Sequence, residues 1–158
     1  RDRSRQFLLN RSSDLEIDGI RVVQDYEEIA KALRNGETVY HWEAGDSMSP
    51  MLKHMEYCKI VPVAHPEDVK EGDAVFCNIN SDANPAFHYY MVHQVWQKAD
   101  FGYDGKTWFK IGSTMTTIFG WSSEVLGKAY GTDIFQEVTQ EIRDQWEAER
   151  IESGYQQD

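Results

Sequence analysis

Long apolar runs, closely spaced cysteines and a surplus of positive charge are all missing from this chain of 158 residues. No apolar run approaches the roughly 18 residues of a membrane-spanning helix, so we expect no membrane anchor. Near the N-terminus the only apolar patch is Phe7, Leu8 and Leu9, which is too short for the core of a signal peptide. These absences favour a cytoplasmic protein.

Cysteine and basic residues are both scarce. Cys58 and Cys77 lie in strand-like segments, and we expect reduced thiols that pack as small apolar groups. Lys and Arg number 16 against 27 Asp and Glu, and the net charge is -11. This charge would repel a phosphate backbone, so direct binding to nucleic acid is not expected. The five histidines show no metal-site spacing, and we expect neither a metal nor a cofactor.

Local patterns predict a mainly β protein with a short N-terminal helix and a C-terminal helix. Asp25 is the predicted N-cap of the first helix, Glu28 completes a capping box, and Gly36 ends the helix. Alternating apolar residues between turn signals predict strands. These strands are expected at residues 19–23, 38–44, 58–63, 73–79, 88–96, 107–112 and 125–130.

The C-terminal segment is apolar on one helical face and acidic elsewhere. Four residues spaced by four predict a helix starting at Asp133, with Gln136 in a possible capping box; these are Ile134, Val138, Ile142 and Trp146. Residues 133–158 hold eight Asp or Glu against two Arg. The acidic residues are interpreted as a solvated face or, alternatively, as a charged surface for a partner.

The length favours one domain flanked by two short segments. We expect an N-terminal extension over residues 1–36, a β-rich body over 37–131, and an acidic helix and tail over 132–158. The oligomeric state is not predicted.

The stretch "HWEAGDSMSPML", residues 41–52, places Ser47 on a turn between Asp46 and Met48. A serine hydroxyl attacks a carbonyl only with a base within hydrogen-bond reach and donors for the oxyanion. His93 is one candidate base, because strand alternation puts it on the opposite face from Val92. From the residues alone two readings stay open: a nucleophile with its base, or a turn hydroxyl and a structural histidine.

Four ordered boxes resemble the serine peptidases that include LexA, its mutagenesis-protein relatives and the type I signal peptidases. "GDSMSPML" is similar to their nucleophile box, and "EDVKEGDAVFCNI" to a Gly-Asp turn before a strand. "YMVHQV" resembles the strand that supplies the base, which is histidine in the archaeal and endoplasmic-reticulum signal peptidases. "FKIGSTMTTIFGW" resembles the fourth box, and "VLGKAYG" resembles the closing strand of the family. The matches span residues 41–131.

The resemblance implies a coiled antiparallel β fold with Ser47 as nucleophile and His93 as base. Met48 would pack beneath the turn. The fourth box has Ser113 where the histidine-type enzymes have Asp, and the candidates to orient His93 or contact substrate are Met48, Ser113 and Thr114. Asp133 is a further candidate, if the fold brings it near.

The resulting expectation is a soluble, bacterial or phage-encoded serine peptidase that acts on a polypeptide substrate. Self-cleavage is not expected, because the one family-type bond, Ala44–Gly45, lies inside the nucleophile box. The alternative is a weak or inactive peptidase fold that binds a protein partner. An acidic mimic of DNA, suggested by the net charge, is a third reading.

Overall fold

The computed structural model describes residues 15–79, 88–100 and 104–136, together with Asp144 and Ala148. The first described elements are two short antiparallel strands, β1 (Glu16–Ile17) and β2 (Ile20–Arg21). The elements that follow are α1 (Tyr26–Arg34), β3 (Val39–Trp42), β4 (Glu56–Pro62), a 3₁₀ turn (Pro66–Asp68), β5 (Ala74–Asn78), β6 (Tyr90–Asp100), β7 (Thr107–Gly112), β8 (Ile118–Ser122) and β9 (Glu124–Phe135).

Strands β3 to β9 form one sheet in the order β3-β4-β9-β5-β6-β7-β8, and each neighbouring pair is antiparallel. The expected mainly β, antiparallel body is therefore confirmed. β9 pairs with β4 on one side and with β5 on the other. This long strand joins the half of the sheet that flanks the Ser47 turn, β3 and β4, to the half that contains His93.

Helix α1 covers one face of the sheet, and its boundaries match the prediction. Asp25 caps the helix by accepting a hydrogen bond from the Glu28 N–H at 3.1 Å, and Gly36 follows its end with a φ of 80°. The buried side of α1 packs in a core cluster with Phe76 and Ile60. A second cluster on β5, β6 and β7 includes Val75, Val95, Phe109 and Ile111.

The expected helix start at Asp133 is wrong, because β9 continues to Phe135. The chain stays on the β4 ladder there: the Asp133 N–H donates to the Glu56 carboxylate at 2.7 Å, and Gln136 N–H donates to the Met55 carbonyl. The later positions of the predicted stripe, Val138, Ile142 and Trp146, lie outside the described residues. Asp144 and Ala148 are helical.

The sequence patterns also missed β8 (Ile118–Ser122), whose first four residues lie in the fourth box. Gly120, with a φ of 142°, interrupts the strand pattern, and Ile118 and Phe119 are exposed. Both cysteines are free and buried, as expected. Within the described residues, no helix is long and apolar enough to cross a membrane.

The cap of α1 provides the first test. We expect Asp25→Ala to lower the free energy of unfolding by about 1 kcal/mol, because the Glu28 N–H loses its acceptor. Asp25→Ser keeps a side-chain oxygen and should retain most of the stability. Urea denaturation of the three proteins measures the effect, and equal losses for the Ala and Ser variants would contradict the capping role.

Candidate active site

Ser47 and His93, 46 residues apart in sequence, meet in the folded chain. The Ser47 Oγ lies 3.3 Å from the His93 Nε2. Ser47 is exposed on the turn between β3 and β4, whereas His93 is half-buried in the middle of β6, paired with Val75 of β5. The distance lies at the long end of a hydrogen bond, which is common for a nucleophile and base without bound substrate.

The surroundings of His93 keep its ring neutral near pH 7. Burial lowers the pKa of His93 below its ordinary value, because a desolvated imidazolium is unfavourable. The Phe119 ring packs against the imidazole, with ring centroids 4.4 Å apart. An uncharged imidazole can accept a proton from Ser47, provided that the Nε2 is the unprotonated nitrogen.

The other ring nitrogen of His93 is not held by a partner. The Nδ1 is buried and, among the described residues, makes no hydrogen bond. In a serine, histidine and aspartate triad this atom donates to the carboxylate, which fixes the tautomer. Among the described residues, the arrangement is therefore a serine and histidine pair without a third member.

The three expected orienting residues have other partners. The Ser113 Oγ accepts from the backbone N–H groups of Met115 and Thr117, and so stabilises its own turn. Asp133 is exposed and forms an ion pair with Lys53 at 3.6 Å. Neither residue, nor Thr114, bonds the His93 Nδ1, so none of the three orients His93 through that atom. The alternative role, contact with substrate, stays a prediction.

Thr114 instead fixes the turn that carries the nucleophile. Its N–H and its Oγ1 both donate to the Ser47 carbonyl, at 3.0 and 3.2 Å, and the Oγ1 also lies 2.6 Å from the Ser49 carbonyl. Met48 is buried in the core cluster beneath the turn, in the position that the sequence predicted. The turn is thus held from above by Thr114 and from below by Met48.

The backbone of this turn also offers a donor. Within the described chain, the Ser47 N–H has no hydrogen-bond partner, whereas the Gly45 N–H donates to the His54 Nδ1 at 2.7 Å. A free amide on the nucleophile itself is a suitable donor for the oxygen of an attacked carbonyl.

A cleft with an empty volume of about 370 Å³, part of it open to solvent, adjoins Ser47. Its lining combines apolar side chains with a few polar ones, and includes Glu43, Met48, Leu52, Cys58 and Val92. Such a mixture is typical of sites that bind small or extended ligands.

The sequence interpretation missed Glu43 and its partner His41. The His41 ring is buried, with Nδ1 2.9 Å from the Val23 carbonyl and Nε2 3.1 Å from the Glu43 carboxyl group. Burial lowers the pKa of His41 to about 4 and raises the pKa of Glu43 to about 7. The spacing of two along a strand, which puts both side chains on one face, was the available signal.

Comparisons with known proteins return no match: no protein-family model, no curated protein and no solved structure is significantly similar to the chain. Fold and site define a mainly β protein with a serine and histidine pair beside a cleft. The likeness to LexA and the signal peptidases stays a prediction from the four boxes. Within the described residues, no group of three or more His, Cys, Asp or Glu side chains is placed to hold a metal ion.

The role of Thr114 can be tested by removing its hydroxyl. We expect Thr114→Val to lower the free energy of unfolding by about 1 to 2 kcal/mol, because the Ser49 carbonyl loses its hydroxyl donor and the Ser47 carbonyl keeps only the Thr114 N–H. Amide hydrogen exchange should also accelerate in residues 46–49. Thr114→Ser keeps the donor and serves as the control; similar exchange rates in the Val variant and the wild type would contradict the role.

Proposed function

We propose that this chain is a serine peptidase-like hydrolase in which Ser47 and His93 cleave a peptide bond as a dyad. The observation that carries the proposal is the 3.3 Å contact between the Ser47 Oγ and the His93 Nε2. The lowered pKa of His93, the free Ser47 N–H and the adjoining cleft support it. Each is a separate requirement of nucleophilic catalysis by serine.

The proposed reaction has two stages. The Ser47 Oγ attacks the substrate carbonyl carbon while its proton moves to the His93 Nε2, and the carbonyl oxygen becomes an oxyanion near the Ser47 N–H. The His93 imidazolium then gives that proton to the leaving amine as the C–N bond breaks. Water attacks the resulting ester, its proton passes through His93 to the Ser47 Oγ, and the free acid leaves.

The absence of a hydrogen bond to the His93 Nδ1 among the described residues predicts the rate of hydrolysis to be low. Among the described residues, no carboxylate accepts from the Nδ1 or stabilises the imidazolium that forms during attack. In a triad, replacing that carboxylate by an amide costs about 10⁴-fold in turnover. Hydrolysis by this dyad is therefore expected to be slow.

The second candidate function is a protein-binding module built on a peptidase-like fold. The lack of a hydrogen bond to the His93 Nδ1 among the described residues favours the binding module, because a site without catalytic activity does not need an oriented base. The two functions differ in one observable property, since only a nucleophilic Ser47 forms a covalent adduct with a serine-directed reagent.

Covalent labelling by a fluorophosphonate tests the dyad. We expect the wild type to be labelled at Ser47, and Ser47→Ala and His93→Ala to lose labelling while unfolding free energies stay within about 1 to 2 kcal/mol. The double variant should be no worse than either single one, because the two residues act as a unit.

Ser49→Ala, on the same turn, and His65→Ala, at an exposed site, are the matched controls and should label normally. Full labelling of the His93→Ala protein would remove His93 as the base. An unlabelled wild type would leave the binding module as the function.

The pH profile of labelling is a separate test. The base must be neutral to accept a proton, so the rate rises as pH increases through the pKa of His93. Because burial lowers that pKa, the first inflection should lie below 6.5. Labelling rates over about pH 4 to 9 provide the profile, and an absence of any inflection below 6.5 is the contrary result.

A further inference from the structure

Glu43 is the side chain of the cleft whose chemistry the dyad leaves unused. It follows the last residue of β3, is half-buried, and lines the same cleft as Ser47 and Met48. One carboxyl oxygen contacts the His41 Nε2 at 3.1 Å. The other, Oε2, has no hydrogen-bond partner in the part of the chain that the structure describes.

The two contacts of His41 determine which ring nitrogen carries the proton when the ring is neutral. A carbonyl oxygen can only accept, so the His41 Nδ1 that faces the Val23 carbonyl carries the hydrogen. In neutral His41 the Nε2 is then an acceptor, and the proton of that contact must come from the Glu43 carboxyl group. When Glu43 ionises, a lone pair of its carboxylate faces the lone pair of the His41 Nε2, and this repulsion makes ionisation unfavourable. A cation bound by the carboxylate would offset that free-energy cost.

The other charged or titratable groups around Glu43 are already engaged. Glu56 accepts backbone N–H groups of Lys53 and Asp133 on its two oxygens, and the Lys53 ammonium pairs with Asp133. Burial raises the pKa of the Cys58 thiol, which keeps it protonated. Of the two carboxylates that line the cleft, Glu43 is thus the one with an oxygen left for a ligand among the described residues.

We propose that the cleft beside Ser47 selects a basic side chain, with the Glu43 carboxylate receiving its ammonium or guanidinium group. The proposal rests on the proposed hydrolase function, because Ser47 attacks the carbonyl of the residue whose side chain lies nearest. The apolar walls formed by Met48, Leu52 and Val92 suit the methylene stem of lysine. The charge-assisted contact with Glu43 would favour a basic side chain over an uncharged side chain of similar size.

The strength of this selection depends on pH. Burial raises the pKa of Glu43 to about 7, so the carboxylate is present above that pH and is lost as pH falls through it. The pKa of His41, about 4, lies below this window. Titration of His93 changes the rate constant of every substrate by the same factor. This factor therefore cancels when the rate constants of two substrates are divided.

The test uses two peptidyl diphenyl phosphonates that differ only in the side chain next to the phosphorus, lysine in one and norleucine in the other. The measured quantity is the ratio of their second-order rate constants for modifying Ser47. At pH 8 we expect the lysine compound to react about tenfold faster or more, since the contact is charge-assisted. The ratio should fall as pH is lowered below 7.

Glu43→Gln should bring the ratio close to one and remove its pH dependence, with thermal melting used to verify that the variant is folded. Glu67→Gln, at an exposed carboxylate remote from the cleft lining, is the control and should keep the wild-type ratio. Two results overturn the selection for basic side chains, provided that a fluorophosphonate still labels Ser47. They are equal rate constants for the two compounds and no reaction with either compound. An unlabelled Ser47 overturns the proposed hydrolase function itself.

Discussion

The pairing of β9 with both β4 and β5 is the constraint on which the candidate site depends. β4 follows the Ser47 turn, and β5 holds β6 and therefore His93, so the two residues meet only because one strand joins both halves of the sheet. Gly127 of β9 shows how little space is left beside this strand, because an added Cβ would lie 2.8 Å from an Ile60 methyl group on β4 and 3.1 Å from a Leu33 methyl group on α1. Contacts of this kind hold the backbone rigidly, and rigidity is what a preorganised site requires.

In this site, desolvation sets the protonation states of the titratable side chains more than ion pairs do. His93 has no carboxylate partner among the described residues, and burial alone makes its imidazole a neutral acceptor. Burial acts in the opposite direction on Glu43, whose acid form it favours. Burial therefore favours the uncharged form of both groups, His93 beside Ser47 and Glu43 in the cleft lining.

Much of this arrangement could be predicted from local patterns. Asp25 and Gly36 mark the helix by capping chemistry, and strand alternation sets His93 opposite Val92. Prediction from local patterns fails at Asp133. The apolar residues that follow it have helical spacing, but at this position the chain instead pairs with β4 and continues as a strand. The bonds from Thr114 to the Ser47 turn span more than 60 residues, and no local pattern encodes such a contact.

The protonation state of the His93 ring tests the account most directly, because a serine can be activated only by an imidazole with a free Nε2. Nitrogen-15 NMR of the histidine rings, assigned with His93→Ala, reports both tautomer and pKa. At neutral pH we predict an uncharged ring protonated on Nδ1, a pKa below 6.5, and a change in the Nε2 resonance in Ser47→Ala. An imidazolium at neutral pH, or a ring protonated on Nε2, would contradict the account.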